Sequence, residues 1–517
     1  MVGRYHSRQN DYLLNSTVNK TFDNLLGMGE KAFINWIKQV CKEAIYAWDE
    51  LNMPPERGVS DREIRRQFET MSNLDVSNFL QHGELTYAED CIVNNARVGS
   101  ACNAFFPNIG KVKDIQGTSL TGNSIYDCFK DPINTPGIVG IFARNFKRDS
   151  FYAFSPVVTK TDSERDLNVK TGKQWVTMFK DDRPAEYEAH DFWIDPVKKV
   201  GRSRGQTPLT LSKRDLDDLT NRGYIEERHL TNVGDGSTVA GTKYRIRLYK
   251  RGQKVFPPGF SFFRTGFHVA ATNFPPATAK YIYQHFTDDL KDQDQIVVYD
   301  PSAGFGGRLL GALSLNTDRQ IHYVGTDPNP DNWIPELNRS RYEYMAEHFN
   351  NNVRRRYRTT YELFQLGSEV IHKDKRFQKY KGKIDLVFTS PPYFAAEGYS
   401  EDENQSFKKF PNYSLWRDGF LRQTLSTAYA YLKSDRWLVF NIADVAFDGK
   451  YFPLEQDTVS ICESLGLEYR GKLKMVLSIT PGGNRLNKRT RLMSTKNFCQ
   501  INGNLRKYEP VLMFWKR

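Results

Sequence analysis

The chain has 517 residues, which at about 100–200 residues per domain predicts two to four domains with cores of their own. Hydrophobic residues make up 39%, charged residues 26% and aromatics 13%, a balance that excludes wholesale disorder, collagen-like repeats and a disulfide-dependent scaffold. Lysine and arginine number 73 against 61 acidic residues, a net charge of +12, compatible with a polyanionic partner without establishing one.

No apolar run approaches the ~20 residues of a membrane span, and the opening MVGRYHSRQNDYLLNS has no secretory apolar segment. The expectation is a soluble cytoplasmic protein of a bacterial cell, or of a host cell if phage-encoded, with no membrane partner. Cys41, Cys91, Cys102, Cys128, Cys462 and Cys499 show no CxxC pair and no histidines at zinc-ligand spacing, so reduced structural thiols and no metal are expected.

Residues 1–135 read as a helical N-terminal region. Ile34, Ile37, Val40, Ala44, Ile45 and Trp48 recur at near-helical spacing between Phe33 and Leu51. After the turn at Pro54, Pro55 and Gly58, Ser60 and Glu63 form a capping-box pattern opening a helix with Ile64, Phe68 and Met71 on one face. Residues 136–267 read as mixed α+β, with β-like runs such as GIVGIFA and KYRIRLYK. Within them residues 196–214 hold six basic residues and no acidic one. From 268 to 517 apolar β-like runs (QIVVYD, HYVGTD, IDLVFTS, RWLVFNIAD, PVLMFWK) alternate with helical stretches, the pattern of a mostly parallel sheet covered by helices. In such sheets ligands bind beyond the carboxyl ends of the strands.

Three motifs follow such strands. Asp300, Pro301, Ser302, Gly304 and Gly306 form a glycine-containing strand-to-helix turn that lets the backbone approach a ligand. Asp327 ends the next strand, where a carboxylate accepts hydrogen bonds from ribose hydroxyls. The two favour an adenosine-containing cofactor, either a dinucleotide or S-adenosylmethionine. The third motif, Thr389-Ser390-Pro391-Pro392-Tyr393, decides between them. Its prolines fix the backbone and leave carbonyls without neighbouring N–H donors. Ser390 adds an acceptor and Tyr393 a flat face, a setting for a planar base carrying an exocyclic amine.

As a set these motifs resemble the DNA amino-methyltransferases, which methylate N4 of cytosine or N6 of adenine from S-adenosylmethionine. TSPPY matches the family's (D/N/S)PP(Y/F/W) motif; Asp300, Pro301, Gly304 and Gly306 match DPFxGxG, with Ser302 where phenylalanine is usual. Thr272-Asn273-Phe274-Pro275-Pro276 resembles the segment that closes over the methionine end of the cofactor, and YEPVLMFWK the terminal antiparallel strand. The resemblance covers residues 268–517. It implies a seven-stranded, mostly parallel Rossmann-like class I methyltransferase sheet and a DNA substrate. It implies catalytic roles for Ser390, Pro391, Pro392 and Tyr393, and cofactor contacts from Phe274, Asp300, Pro301, Ser302, Gly304, Gly306, Asp327 and Glu369. Serine in the proline motif leans toward cytosine N4, with adenine N6 the alternative; RNA or protein amide-nitrogen methylation and a catalytically idle DNA-binding protein stand behind these.

A base in a duplex must be flipped out to reach such a pocket, or presented in a single strand. Tyr393 and Phe394 suit stacking on it. Residues 481–507 hold seven basic residues and no acidic one, and Arg485, Lys488, Arg489 and Arg491 are the candidate phosphate contacts. The polar stretch 394–416 reads as a lid, and residues 136–267 as a DNA-recognition region.

Overall fold

The computed structural model describes residues 18–21, 24–25, 28–51, 61–81, 90–94, 100–114, 123–134, 273–315, 319–352, 358–394, 397–447, 450–477, 498–501 and 504–517, with isolated strand segments between 187 and 250. The run GIVGIFA, the basic stretch 196–214, Ser60 and the four arginines and lysines at 485–491 lie outside the described residues.

Alternation builds the sheet. Central strands covered on both faces are continuously apolar, and Ile384–Thr389 is buried at all six positions. The strands are β1 (Leu80–Gln81), β2 (Cys91–Val93), β3 (Gln295–Asp300), β4 (Gln320–Thr326), β5 (Thr360–Phe364), β6 (Ile384–Thr389), β7 (Leu432–Asn441), β8 (Leu467–Val476), β9 (Phe498–Ile501) and β10 (Asn504–Lys516). They form one ten-stranded sheet in the order β1-β2-β8-β10-β7-β6-β3-β4-β5, with β9 on β10. The seven strands from β5 to β8 are the expected Rossmann-like α/β sheet. Within that set β10 is antiparallel to its neighbours β7 and β8, while β3 to β7 pair in parallel.

Among the described residues the α-helices of four residues or more are α1 (Glu30–Leu51), α2 (Asp61–Ser72), α3 (Ile125–Lys130), α4 (Pro276–Phe286), α5 (Gly307–Leu313), α6 (Arg341–Asn352), α7 (Ser406–Lys409), α8 (Arg422–Tyr431) and α9 (Leu454–Ser464). Among the described residues none is long and apolar enough to cross a membrane. In α1 Ile37, Val40, Ala44 and Trp48 of the expected set are buried and Ile34 and Ile45 half-buried, while Phe33, Trp36 and Ala47 complete the buried stripe. Trp36 donates Nε1–H to the Val18 carbonyl and Trp48 to that of Pro107. In α2 Ile64, Phe68 and Met71 are buried as the periodicity predicts.

The sheet reaches beyond the 268–517 segment. Strand β2 adds in parallel to β8, and β1 pairs with β2, extending the sheet from seven strands on that edge. Phe68 of α2 stacks on Phe349 of α6 at 4.1 Å. Buried Lys280 of α4 donates to the carbonyls of Met71, Ser72 and Leu74, each at 2.8 Å, closing the end of α2. Ile64, Phe68, Met71, Ile92, Phe105, Phe106 and Val112 thus share one core with the sheet helices. All six cysteines are buried, and none is in a disulfide.

Candidate active site

The carboxyl edge of the sheet opens into a cleft of about 630 Å³, within the range of small-molecule and cofactor sites. Its walls follow strand order. Glu369 lies beyond β5, Asp327 after β4, Pro301 to Gly304 after β3 and Ser390 to Tyr393 after β6; Asn441 ends β7, and Glu509 and Met475 come from β10 and β8. Because β10 runs opposite to its neighbours, its early residues sit at the same edge as the ends of the others.

The glycine turn is held from below and behind. Gly304 (φ 59°) and Gly306 (φ 76°) take left-handed backbone that side chains disfavour. A Cβ on Gly306 would stand 2.5 Å from the Phe106 ring. The side of Gly306 that a side chain would occupy is therefore taken by the N-terminal segment, and Gly306 does not line the cleft. Asn273 bridges the turn, donating Nδ2–H to the Phe305 carbonyl at 2.6 Å and accepting the Gly307 N–H at 3.0 Å. Asn108 donates to Asn332, which in turn donates to the Gly304 carbonyl. The N-terminal segment is thereby part of the scaffold of the site.

Asp300 also departs from expectation. It is fully buried beneath the turn and does not line the cleft. Its carboxylate accepts from Arg308 Nε at 2.8 Å, Thr389 Oγ1 at 2.7 Å, Tyr323 OH at 2.6 Å and the Ser302 N–H at 3.2 Å. All its capacity is spent joining the glycine turn to the start of TSPPY. Burial opposes the Arg308 charge, and Asp300 more than offsets it, so the guanidinium pKa is raised. Arg308 also donates to the Ser302 carbonyl.

Asp327 lines the cleft and accepts the N–H groups of Gly304 at 2.8 Å and Asn329 at 2.9 Å. Burial pushes its carboxyl up to about 6, against the lowering effect of those two N–H groups. A ribose donating its hydroxyls to the ionised form would bind above this value and lose affinity as pH drops through it. S-adenosylhomocysteine titrated calorimetrically from about pH 7.5 to about pH 5 should lose affinity by about tenfold per pH unit below 6. Asp327→Ala should weaken binding by roughly 1.5–3 kcal/mol and flatten that dependence. Unchanged affinity in a folded variant would remove Asp327 from the site.

Phe274 lines the cleft, its ring edge-on to Phe388 and under Arg308. Pro301, Ser302, Ser390, Pro391, Pro392 and Tyr393 line it too. Tyr393 donates toward Asn441 Oδ1 (3.3 Å) and Glu509 Oε2 (3.5 Å). The next residue, Phe394, does not face the cleft as a second stacking surface. It takes a left-handed φ of 52° and is buried among Tyr413, Trp416 and Phe452 at 5.3–5.8 Å between ring centres. An aromatic in that conformation is strained, and the packed rings hold it, fixing the backbone that carries Tyr393. Glu369 lines the cleft, but its Oε1 is paired with Lys409 Nζ at 2.7 Å.

Several polar residues of the cleft were not assigned from the sequence. Asn441 closes the apolar run 437–440 of β7, a legible signal. Glu509 precedes Pro510 at the start of the terminal apolar run; burial raises its carboxyl pKa, against the opposing charge of Lys507 and hydrogen bonds from Tyr393 and Asn441. Gln405 and Ser406, from the stretch read as a lid, line the cleft, and Gln405 Nε2 and Ser406 Oγ are buried with no hydrogen-bond partner among the described residues. That stretch is tied down by pairing of 397–398 with 113–114 and by the Lys113–Glu401 ion pair at 2.6 Å. Of the seven basic residues in 481–507, Arg506 and Lys507 are described, and both line the cleft.

No known protein family and no curated protein matches the chain. Among solved structures, it is similar to a presumed class I S-adenosylmethionine-dependent methyltransferase from Listeria monocytogenes, with 15% identity over 50% of this chain and 67% of that one and a TM-score of 0.29. A presumed DNA modification methylase from Thermus thermophilus, solved with S-adenosyl-L-methionine, shows 21% identity over 26% of this chain and 48% of that one, with a TM-score of 0.18. The match thus spans about half the length of that methylase. A precorrin-6y C5,15-methyltransferase from Geobacter metallireducens shows 15% identity over 47% and 88%, with a TM-score of 0.24.

Proposed function

We propose that this chain is a DNA methyltransferase that moves a methyl group from S-adenosylmethionine to an exocyclic amine of a flipped-out base, with cytosine N4 favoured over adenine N6. The observation that carries the reading is the juxtaposition in one cleft of the TSPPY turn with Asp327 and the glycine turn. The first offers acceptors for an amine; the others suit a nucleoside cofactor. The donor set fits that cofactor: a carboxylate just after β4 and left-handed glycine backbone after β3. When bound, S-adenosylmethionine supplies a sulfonium methyl group open to in-line displacement.

The cleft then divides along the sheet edge. The ends of β3, β4 and β5 hold the cofactor, with Phe274 over its methionine end. The ends of β6, β7, β10 and β8 receive the base. Ser390 Oγ and a proline carbonyl accept the amine hydrogens and aim its lone pair at the methyl carbon. The Pro392 carbonyl already accepts the Phe394 N–H at 3.1 Å, so Pro391 supplies the second acceptor. Tyr393 stacks on the ring, held by Asn441 and Glu509. Rate enhancement comes from positioning and local electrostatics, and the amine proton leaves to water.

Arg485, Lys488, Arg489 and Arg491, with Arg506 and Lys507 at the rim, contact phosphates in this reading. Replacing the first four together should lower the log–log salt slope of duplex binding by roughly 0.9 per lost contact; an unchanged slope assigns the run to a solvated face. Labelled methyl transfer to DNA and to RNA, followed by nucleoside mass spectrometry, tests the reading as a whole. N4-methylcytosine or N6-methyladenine in DNA supports it. Incorporation confined to RNA, or none, overturns it.

A further inference from the structure

The stretch that leaves TSPPY is fastened firmly at both ends and lightly in the middle. At its start Phe394 is buried among Tyr413, Trp416 and Phe452. At its end Lys409 pairs with Glu369 at 2.7 Å, and the Phe410 ring packs so closely on Gly419 that a Cβ there would stand 2.3 Å from it. Between these anchors the chain holds a shape of its own. Asp402 accepts the Asn404 N–H on its side chain at 2.8 Å and the Gln405 N–H on its carbonyl at 3.2 Å. Lys408 donates back to the Glu401 carbonyl and pairs with the carboxylates of Glu401 at 3.4 Å and Glu403 at 3.6 Å.

The middle crosses to the N-terminal segment. Glu397 and Gly398 pair antiparallel with Asp114 and Lys113, and Lys113 Nζ meets Glu401 Oε1 at 2.6 Å. Beside that pairing the Tyr399 ring lies 6.2 Å from the ring of Phe305 in the glycine turn, and both residues line the cleft. The stretch thus runs from the end of β6 past the glycine turn after β3 to Glu369 beyond β5, along the edge where the cleft opens.

These middle ties are of the weak kind. The pairing is two residues long, and the side chains of Lys113 and Glu401 are 40% and 76% exposed, a setting in which an ion pair contributes little and is screened by salt. Closure also carries a cost. Gln405 Nε2 and Ser406 Oγ, at the root of the stretch, are sealed from solvent with no hydrogen-bond partner among the described residues. Water reaching them on opening would supply the missing bonds.

We infer that residues 397–408 form a strap across the cofactor cleft, latched by the Lys113–Glu401 pair, and that the strap opens to let the nucleoside cofactor enter and leave. The inference rests on the cofactor reading above. Closed, the strap walls the cleft with Tyr399, Asn404, Gln405 and Ser406. Open, it uncovers the glycine turn. A residue of the N-terminal segment thereby governs exchange at a site built from the sheet strands.

The test is surface plasmon resonance of S-adenosylhomocysteine on the immobilised full chain, without DNA. Lys113→Met and Glu401→Gln should each speed association and dissociation together, by about two- to fivefold. The dissociation constant should stay within about twofold, because a latch that touches no ligand opens free and bound protein alike. The double variant should exchange no faster than either single one, since both changes remove the same interaction. In the wild-type protein, raising salt from about 0.05 to about 0.5 M should speed exchange, and each single variant should lose most of that dependence.

Unchanged rates in both single variants overturn the inference. Faster dissociation with unchanged association overturns it too, because the pair would then hold the bound ligand and gate nothing. So do additive effects in the double variant, which would leave the two residues acting separately. Failure of the wild-type protein to bind S-adenosylhomocysteine at all sinks the cofactor reading itself, and is distinguishable because every other outcome requires measurable binding.

Discussion

Arg308→Met should destabilise the protein by about 3–5 kcal/mol, the range for breaking a buried ion pair from one side. Asp300 and Arg308 are 0% and 4% exposed, with 2.8 Å between Oδ2 and Nε. Removing the guanidinium leaves the carboxylate with only Thr389, Tyr323 and the Ser302 N–H. Those are neutral donors and do not balance a charge in a dry site. The loss should appear in urea denaturation as a lower midpoint with little change in slope. Adding Asp300→Asn removes the stranded charge, and the double variant should recover part of the loss. Nucleoside affinity should fall alongside stability, since Arg308 also holds the Ser302 carbonyl of the glycine turn. If the single and double variants are equally destabilised, the pair contributes by packing and not by charge.

The pair also marks where sequence reading stopped. Asp300 was legible as part of a strand-to-turn motif, yet a motif does not say whether its acid faces the ligand or the core. The arginine that turns it inward stands eight residues away, across a helix start. Gly306 was legible as a position demanding unusual backbone; that Phe106, two hundred residues upstream, also leaves no room there for a Cβ was not. Glu369 was placed at the cleft, but its partner Lys409 belongs to a stretch with no periodic signal.

The edge strands were invisible for a physical reason. β1 and β2 are two and three residues long, too short to show alternation. Their place beside β8 is fixed by pairing with a strand nearly four hundred residues later. By contrast β3, β4, β6, β7 and β10 are longer and strongly apolar, and the reading of a Rossmann-like sheet rested on them. The terminal run was expected to be antiparallel, and β10 is. What that orientation adds is Glu509: reversing the strand brings its early residues to the carboxyl edge, beside Asn441 and Tyr393. No spacing along the chain predicts that meeting.

Ser390 and Tyr393 should fail at different steps when replaced. Ser390 follows the last residue of β6 and stands on the cleft wall, while Thr389 beneath it is fixed to Asp300 at 2.7 Å. The backbone leading into Ser390 is thus anchored to the core. Ser390→Ala should slow single-turnover methyl transfer by about 10²-fold, a loss of the size seen when a positioned hydrogen bond to a transition state is removed. DNA affinity should be nearly unchanged, because the contact matures as the amine becomes nucleophilic. Tyr393 is different. Its ring is held through Asn441 and Glu509 and by the anchored turn at Phe394. Tyr393→Ala should weaken productive capture of the base by about 1–3 kcal/mol, as expected for loss of one base–aromatic stack. Tyr393→Phe keeps the face and loses two long hydrogen bonds, so its effect should be mild. With saturating cofactor, varying DNA concentration separates the two steps: the serine variant lowers the plateau rate, and the tyrosine variant raises the concentration needed to reach it. Full activity in both alanine variants would mean that TSPPY is not where the amine is methylated.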